Sequence, residues 1–95
     1  MNAKEELLRS TKGIEIICAE IKYIDLKIYL KFGYTEEEFI KFLKLLDFNY
    51  DNGYGGQELY GKVWLGDNAW LERGEYDGSE WWSYKKLPEI PKYLK

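Results

Sequence analysis

The sequence predicts an α+β fold: a mostly antiparallel sheet of about five strands, in the order helix, two strands, helix, three strands, with one main amphipathic helix packed on one face. Three observations carry this reading. Apolar residues alternate at period two from Ile14 to Phe32, and short strand-like runs return between Leu59 and Lys86. One stretch, Glu36–Leu46, repeats instead at helical spacing. Asp77-Gly78 is a strong signal for a two-residue hairpin turn. A chain of 95 residues suits one domain, residues 1–95, and permits one modest core. At 45% hydrophobic and 18% aromatic it is too apolar for disorder, and much of the core must be built from rings.

Asn2 can cap a short helix, with Glu5 three residues later as in a capping box. Leu7 and Leu8 would be its buried points and Gly13 its stop, so the expected helix covers Ala3–Thr11. Beyond it, Ile14, Ile16 and Cys18 share one parity, and Ile24, Leu26, Ile28, Leu30 and Phe32 repeat it. Strands usually run about 3–10 residues, so this stretch reads as a hairpin with its turn near Glu20–Tyr23. Thr35-Glu36-Glu37-Glu38 is a helix start with a full capping box and acidic residues at the positive end of the helix dipole. Phe39, Phe42, Leu43 and Leu46 then form the buried stripe, with Ile40 beside it. Asp47–Gln57, rich in Asp, Asn and Gly, is a loop. The last three strands are Leu59–Leu65, Ala69–Tyr76 and Ser79–Lys86, and Pro88 and Pro91 end regular pairing.

Turn chemistry suggests a register. With two-residue loops at Asp67-Asn68 and Asp77-Gly78, Arg73 pairs with Trp82, Leu71 with Tyr84, Trp64 with Leu71 and Lys62 with Arg73. One face then carries Val63, Leu65, Trp70 and Trp81 and receives the Glu36–Leu46 helix. The other carries Lys62, Trp64, Leu71, Arg73, Trp82 and Tyr84. Such an apolar face needs either a cover or a use. The covers are the N-terminal helix, the Leu87–Leu94 tail, or a sheet curled into a small barrel. The use is an interface, because Trp, Tyr and Arg dominate binding hot spots. The candidate partner-binding residues are therefore Trp64, Arg73, Trp82 and Tyr84, with Lys62.

Composition narrows the chemistry. There is no histidine, which removes the commonest general base and metal ligand. The one cysteine, Cys18, forms no intramolecular disulfide, and its parity reads as that of a small buried hydrophobe. A net charge of −3 argues against a dedicated duplex-DNA binder. Met1–Lys12 is polar and of mixed charge, so no signal peptide or membrane span is expected, and the chain reads as cytoplasmic. Glu72, Glu75, Asp77 and Glu80 cluster at the last hairpin, but Glu75 and Glu80 read as solvated residues near its tip, and no enzymatic activity is expected. Gly53-Tyr54-Gly55-Gly56 lacks the Lys-Ser/Thr of a phosphate-cradling loop. Asp47, Asn49, Asp51 and Glu58 stand at calcium-loop positions one, three, five and twelve. The glycine falls at position seven, with Asn52 at six, and a strand follows where that motif has a helix. No cofactor is expected, and calcium at this loop is the alternative.

The run Ala69-Trp70-Leu71-Glu72-Arg73-Gly74-Glu75-Tyr76-Asp77-Gly78-Ser79-Glu80-Trp81-Trp82, preceded by Val63-Trp64-Leu65 and followed by Leu87-Pro88-Glu89-Ile90-Pro91, resembles small uncharacterised proteins of bacteriophages and prophages. The resemblance covers about the last third of the chain and carries no known chemistry. It implies a phage accessory gene acting in the host cytosol. Such proteins often bind a host protein, and inhibitors of bacterial defence, anti-CRISPR proteins among them, are one class. The expected function is thus a non-enzymatic protein-binding module that acts through the aromatic sheet face on a host protein. The alternatives are a single-stranded nucleic-acid-binding domain on the same face, a calcium-stabilised structural domain, and a homodimer.

Overall fold

The computed structural model describes residues 1–51, 53 and 56–95, and every expected helix and strand is present among them. Helix α1 spans Ala3–Ser10, strands β1 and β2 span Ile16–Tyr23 and Leu26–Leu30, and helix α2 spans Glu36–Leu45. Strands β3, β4 and β5 cover Leu59–Leu65, Ala69–Tyr76 and Ser79–Lys86, and a 3-10 turn at Lys92–Leu94 follows. The strands form one antiparallel sheet in the order β2-β1-β3-β4-β5. The connection through α2 carries the chain from the β2 edge back to the centre, where β3 pairs with β1.

The box at Thr35 forms as the sequence suggests, whereas the one expected at Asn2 forms only on the Asn2 side. Thr35 Oγ1 accepts from the Glu38 amide at 3.2 Å, and Glu38 Oε1 accepts from the Thr35 amide at 3.1 Å. Asn2 Oδ1 accepts from the Glu5 amide at 3.0 Å. Of the two leucines expected beneath α1, Leu7 is buried and Leu8 is exposed. Both helices lie over one face of the sheet, α2 near β2 and α1 near β5. Between helices and sheet sit Leu7, Ile21, Ile28, Phe42, Leu46, Leu59, Val63 and Leu71, all closed to solvent. The segment after α2 runs back beside the N-terminus: the Ala3 amide donates to Phe48 O at 2.9 Å, and the Tyr50 amide to Met1 O at 2.9 Å. Tyr23 closes this corner, with its ring centroid 4.3 Å from that of Phe48.

Three register details differ from expectation. The first hairpin turns at Ile24 and Asp25, not near Glu20–Tyr23, since Tyr23 pairs with Leu26. Ile24 adopts φ 54°, a conformation rarely taken by a β-branched residue, so the sequence carries no turn signal there. Second, β1 carries a bulge between Ile16 and Cys18. Ile16 faces the core, and beyond the bulge Ala19 and Ile21 take that role. Cys18 pairs with Trp64 on the opposite face and is half-buried, not a core residue.

The third difference has the largest effect. Asp67 and Asn68 do form a two-residue left-handed turn, at φ 60° and 59°, closed by the Ala69 amide donating to Gly66 O at 3.3 Å. The next pairs, however, are Trp64–Trp70, Val63–Leu71 and Lys62–Glu72. Leu65 is therefore an extra residue on β3, and a one-residue shift turns every following side chain to the other face. The β4–β5 register is as expected, with Arg73 opposite Trp82 and Leu71 opposite Tyr84. The expected pairs Trp64–Leu71 and Lys62–Arg73 do not exist. The helix-covered face carries Val63, Leu65, Leu71, Arg73, Trp82 and Tyr84, and the opposite face carries Lys62, Trp64, Trp70 and Trp81.

Candidate functional site

The five expected partner-binding residues thus divide between two faces. Arg73, Trp82 and Tyr84 lie beneath α1, and Trp64 and Lys62 lie on the uncovered side. Lys12, just after α1, sits 4.3 Å over the Tyr84 ring. Of the three covers considered for that face, the N-terminal helix is the one present.

Arg73 centres a polar cluster inside the core. Its Nε and Nη2 donate to Glu80 Oε1 at 3.1 and 2.8 Å, and its Nη1 donates to Glu6 Oε1 at 3.0 Å. The Tyr50 hydroxyl donates to Glu6 and accepts from Arg73. Glu80 also accepts from the backbone amides of Glu58 and Leu59 at 2.7 and 3.0 Å. The side chains of Arg73, Glu6 and Glu80 are 2%, 9% and 0% exposed. Glu80 is therefore not a solvated tip residue. Burial pushes the Tyr50 hydroxyl well above the usual tyrosine range, and its hydrogen bond to Glu6 adds to the effect. Burial opposes the charge on Arg73, but the Glu80 hydrogen bond and the Glu6 charge outweigh it and hold its pKa above the ordinary value. This arrangement ties α1 and the Tyr50 segment to the last hairpin. A carboxyl pair this enclosed gives a substrate no access. One buried polar atom of the cluster's surroundings, Trp82 Nε1, has no hydrogen-bond partner among the described residues.

The opposite face of the sheet is left uncovered by the two helices. Its aromatic residues are Tyr29, Tyr60, Trp64, Trp70, Trp81 and, at the end of β4, Tyr76, and none is covered by a described helix. Trp81 lies across Gly74 so closely that a Cβ there would come within 2.9 Å of the indole. Glycine at this position lets the ring lie flat on the neighbouring strand. Trp70 Nε1 donates to Glu72 Oε1 at 2.9 Å, and Lys62 and Lys85 flank the same carboxylate at 3.6 and 3.5 Å. The Trp70 hydrogen bond, followed by the two lysines, holds the Glu72 pKa below the usual carboxylate range. A shallow groove of about 580 Å³ runs between Trp64 and Trp70, bounded by Ile17, Lys62, Glu72 and Leu87. The face carries Lys22, Lys27, Lys62 and Lys85 against Glu20 and Glu72, a net positive surface on a chain whose formal charge is −3.

Sequence reasoning missed Trp70, Trp81, Tyr60 and Tyr29 as members of this surface. The extra residue at Leu65 put Trp70 and Trp81 on the wrong face, and Glu80 misled because a glutamate near a hairpin tip ordinarily faces solvent. The signal present was the Ala69/Leu71 parity, which is the better core pattern for β4.

The proposed calcium ligands do not converge. Asp47 accepts from Asn2 Nδ2 at 2.9 Å and pairs with Lys4 at 3.6 Å, contacts that lower its pKa. Asn49 bridges to Asn2 in a short antiparallel pairing, Asp51 accepts from the Gly53 amide at 3.1 Å, and the Glu58 amide is engaged by Glu80. Asn52, Tyr54 and Gly55, which belong to the calcium and glycine-rich readings, lie outside the described residues. Among the described residues no three acidic or cysteine side chains stand close enough to hold a metal. No described helix is long and apolar enough to cross a membrane.

Fold and surface define a small α+β domain with a two-helix cover on one side of its sheet and an open aromatic face on the other. No protein-family model, curated protein or solved structure matches the chain.

Proposed function

We propose that the protein is a non-enzymatic protein-binding domain that docks its partner on the open face of the sheet. The observation that carries this reading is the exposure of Trp64 and Trp81, at 41% and 43%, on a rigid sheet beside Tyr60 and the Trp64–Trp70 groove. Large rings fixed on strands contribute contact area with little entropy to lose, the property of interface hot spots. The resemblance of the Ala69–Trp82 hairpin to phage proteins gives the proposal a context: a host protein as the partner, inhibition of that protein as the consequence, and anti-defence activity as one form of it. The site is Trp64 with Lys62, joined by Trp70 and Trp81. Arg73, Trp82 and Tyr84 support it from beneath.

The test is an affinity capture from bacterial lysate, read by mass spectrometry, with wild type beside a Trp64→Ala/Trp81→Ala variant shown by circular dichroism to be folded. A defined protein held by wild type and lost by the variant supports the reading. Equal capture by both sinks it.

A second reading, single-stranded nucleic acid on the same face, is favoured by one observation: the face is net positive while the chain is net negative. Steep loss of oligonucleotide affinity with salt would mark it.

A further inference from the structure

We infer that the open face receives an acidic protein segment, with its carboxylates at Lys22 and Lys27 and a large apolar side chain in the groove between Trp64 and Trp70; the inference rests on the docking role proposed above.

Lys22 and Lys27 are direct cross-strand partners at one end of the open face. Like charges placed directly opposite each other destabilise a sheet. Among the described residues neither lysine has a carboxylate within 4.0 Å, whereas Lys62 and Lys85 on the same face are both engaged by Glu72. Tyr60 stands opposite Lys22 on β3, half exposed, beside a shallow depression that reaches Lys62 and is lined by Glu20 as well as Lys22. Two ammonium groups on neighbouring strands, with the Tyr60 ring beside Lys22, form an anion seat, and an anion there removes the repulsion between them.

The apolar point lies on the same strand. Trp64 follows Tyr60 by four residues on β3, which at the rise of a strand is roughly 13 Å. The two points therefore match an extended segment with an acidic residue about four positions from a large apolar one, or a longer stretch of helix.

A protein fits this pattern better than a nucleic acid. A single strand needs positive charge along its whole path. Here the Glu72 carboxylate, held by Trp70 and ionised between Lys62 and Lys85, stands in the middle of the platform. Free positive charge is concentrated at one end, which suits a few carboxylates and not a phosphodiester chain.

The experiment uses a fluorescein-labelled peptide with two glutamates four residues before a phenylalanine. It is compared with its lysine counterpart and with labelled oligo(dT), by anisotropy at low and physiological salt. Expected are saturable binding of the acidic peptide, no binding of the lysine peptide, and about tenfold weaker binding in both Lys22→Glu and Trp64→Ala. Lys22→Glu converts a like-charged pair into an opposite one, so its Tm rises and lost affinity is not lost folding. Equal binding of the lysine peptide, absence of acidic-peptide binding, or wild-type affinity in Lys22→Glu overturns the inference. Tighter binding of oligo(dT) than of the acidic peptide overturns it in favour of nucleic acid. The docking reading fails separately. A captured partner lost with Trp64→Ala/Trp81→Ala but retained by Lys22→Glu leaves docking intact and removes only the acidic segment.

Discussion

The guanidinium of Arg73 donates twice to a single carboxylate oxygen of Glu80, from Nε at 3.1 Å and Nη2 at 2.8 Å, with both side chains closed to solvent. The two residues belong to adjacent strands of the last hairpin, and Glu6 of α1 completes the set. Removing one partner of a buried ion pair leaves an uncompensated charge. Arg73→Met is therefore expected to destabilise the fold by about 3–5 kcal/mol, read from urea denaturation. A loss under about 1 kcal/mol would mean that water reaches the cluster, since exposed pairs are worth only that much.

Tyr50 links stability to alkaline pH. Its folded pKa is raised above the ordinary value, so the folded state keeps a proton that the unfolded chain releases. The stabilisation is whole below the unfolded pKa of about 10 and is lost as pH rises through the higher folded value. Stability of the wild type should fall as pH rises above about 10, and Tyr50→Phe should flatten the decline. A decline of unchanged slope in Tyr50→Phe would assign it to other groups.

Lys22→Glu tests the sheet itself. Replacing a like pair by an opposite pair is expected to stabilise by about 0.2–1 kcal/mol. Adding Lys27→Glu restores the repulsion with reversed sign and should return the Tm toward that of the wild type. Thermal melts of the three proteins at low salt decide this, and an unchanged Tm in Lys22→Glu would show the two ammoniums to be held apart.

The two faces predict opposite outcomes for similar truncations. Trp82→Ala opens a cavity beneath α1 and should cost about 3–5 kcal/mol. Trp64→Ala removes a ring that is already 41% exposed and should cost well under half as much. Equal losses in denaturant unfolding would contradict the assignment of faces.

At Gly61 on β3 the neighbouring strand β1 leaves no room for a side chain. Gly61 adopts φ 153°, and a Cβ there would fall 2.4 Å from Glu20 O. Gly61→Ala must push the central strands apart and is expected to cost about 1–3 kcal/mol, as overpacking does. A melting temperature equal to that of the wild type would show that the ladder can give way without cost.

The elements were legible because their signals are local. Thr35 and Glu38 cap one helix within a single turn, Asp77-Gly78 closes a hairpin within two residues, and the bounds of β3, β4 and β5 follow from such punctuation. The facing of the sheet was not legible. It depends on extra residues at Ile17 and Leu65, at the corner where Ile16 pairs with Leu65. No property of either residue announces a bulge, and only the pairing partner, far away in sequence, imposes it. For the same reason Arg73 read as a surface residue: its partner Glu6 lies 67 positions away. Trp64 and Lys62 kept their expected exposure because β3 precedes the shift.

That separation has a consequence for the order in which the molecule is made. A ribosome releases α1 well before the last hairpin of this domain, at roughly 5–20 residues per second. Until β4 and β5 emerge, Glu6 has no guanidinium and Leu7 has no completed sheet to lie on. Helix α1, too short to persist alone in water, waits in an unfolded or transient state until they do. The cooperative transition then follows the emergence of β5, and a pause in translation before that point would hold the domain open.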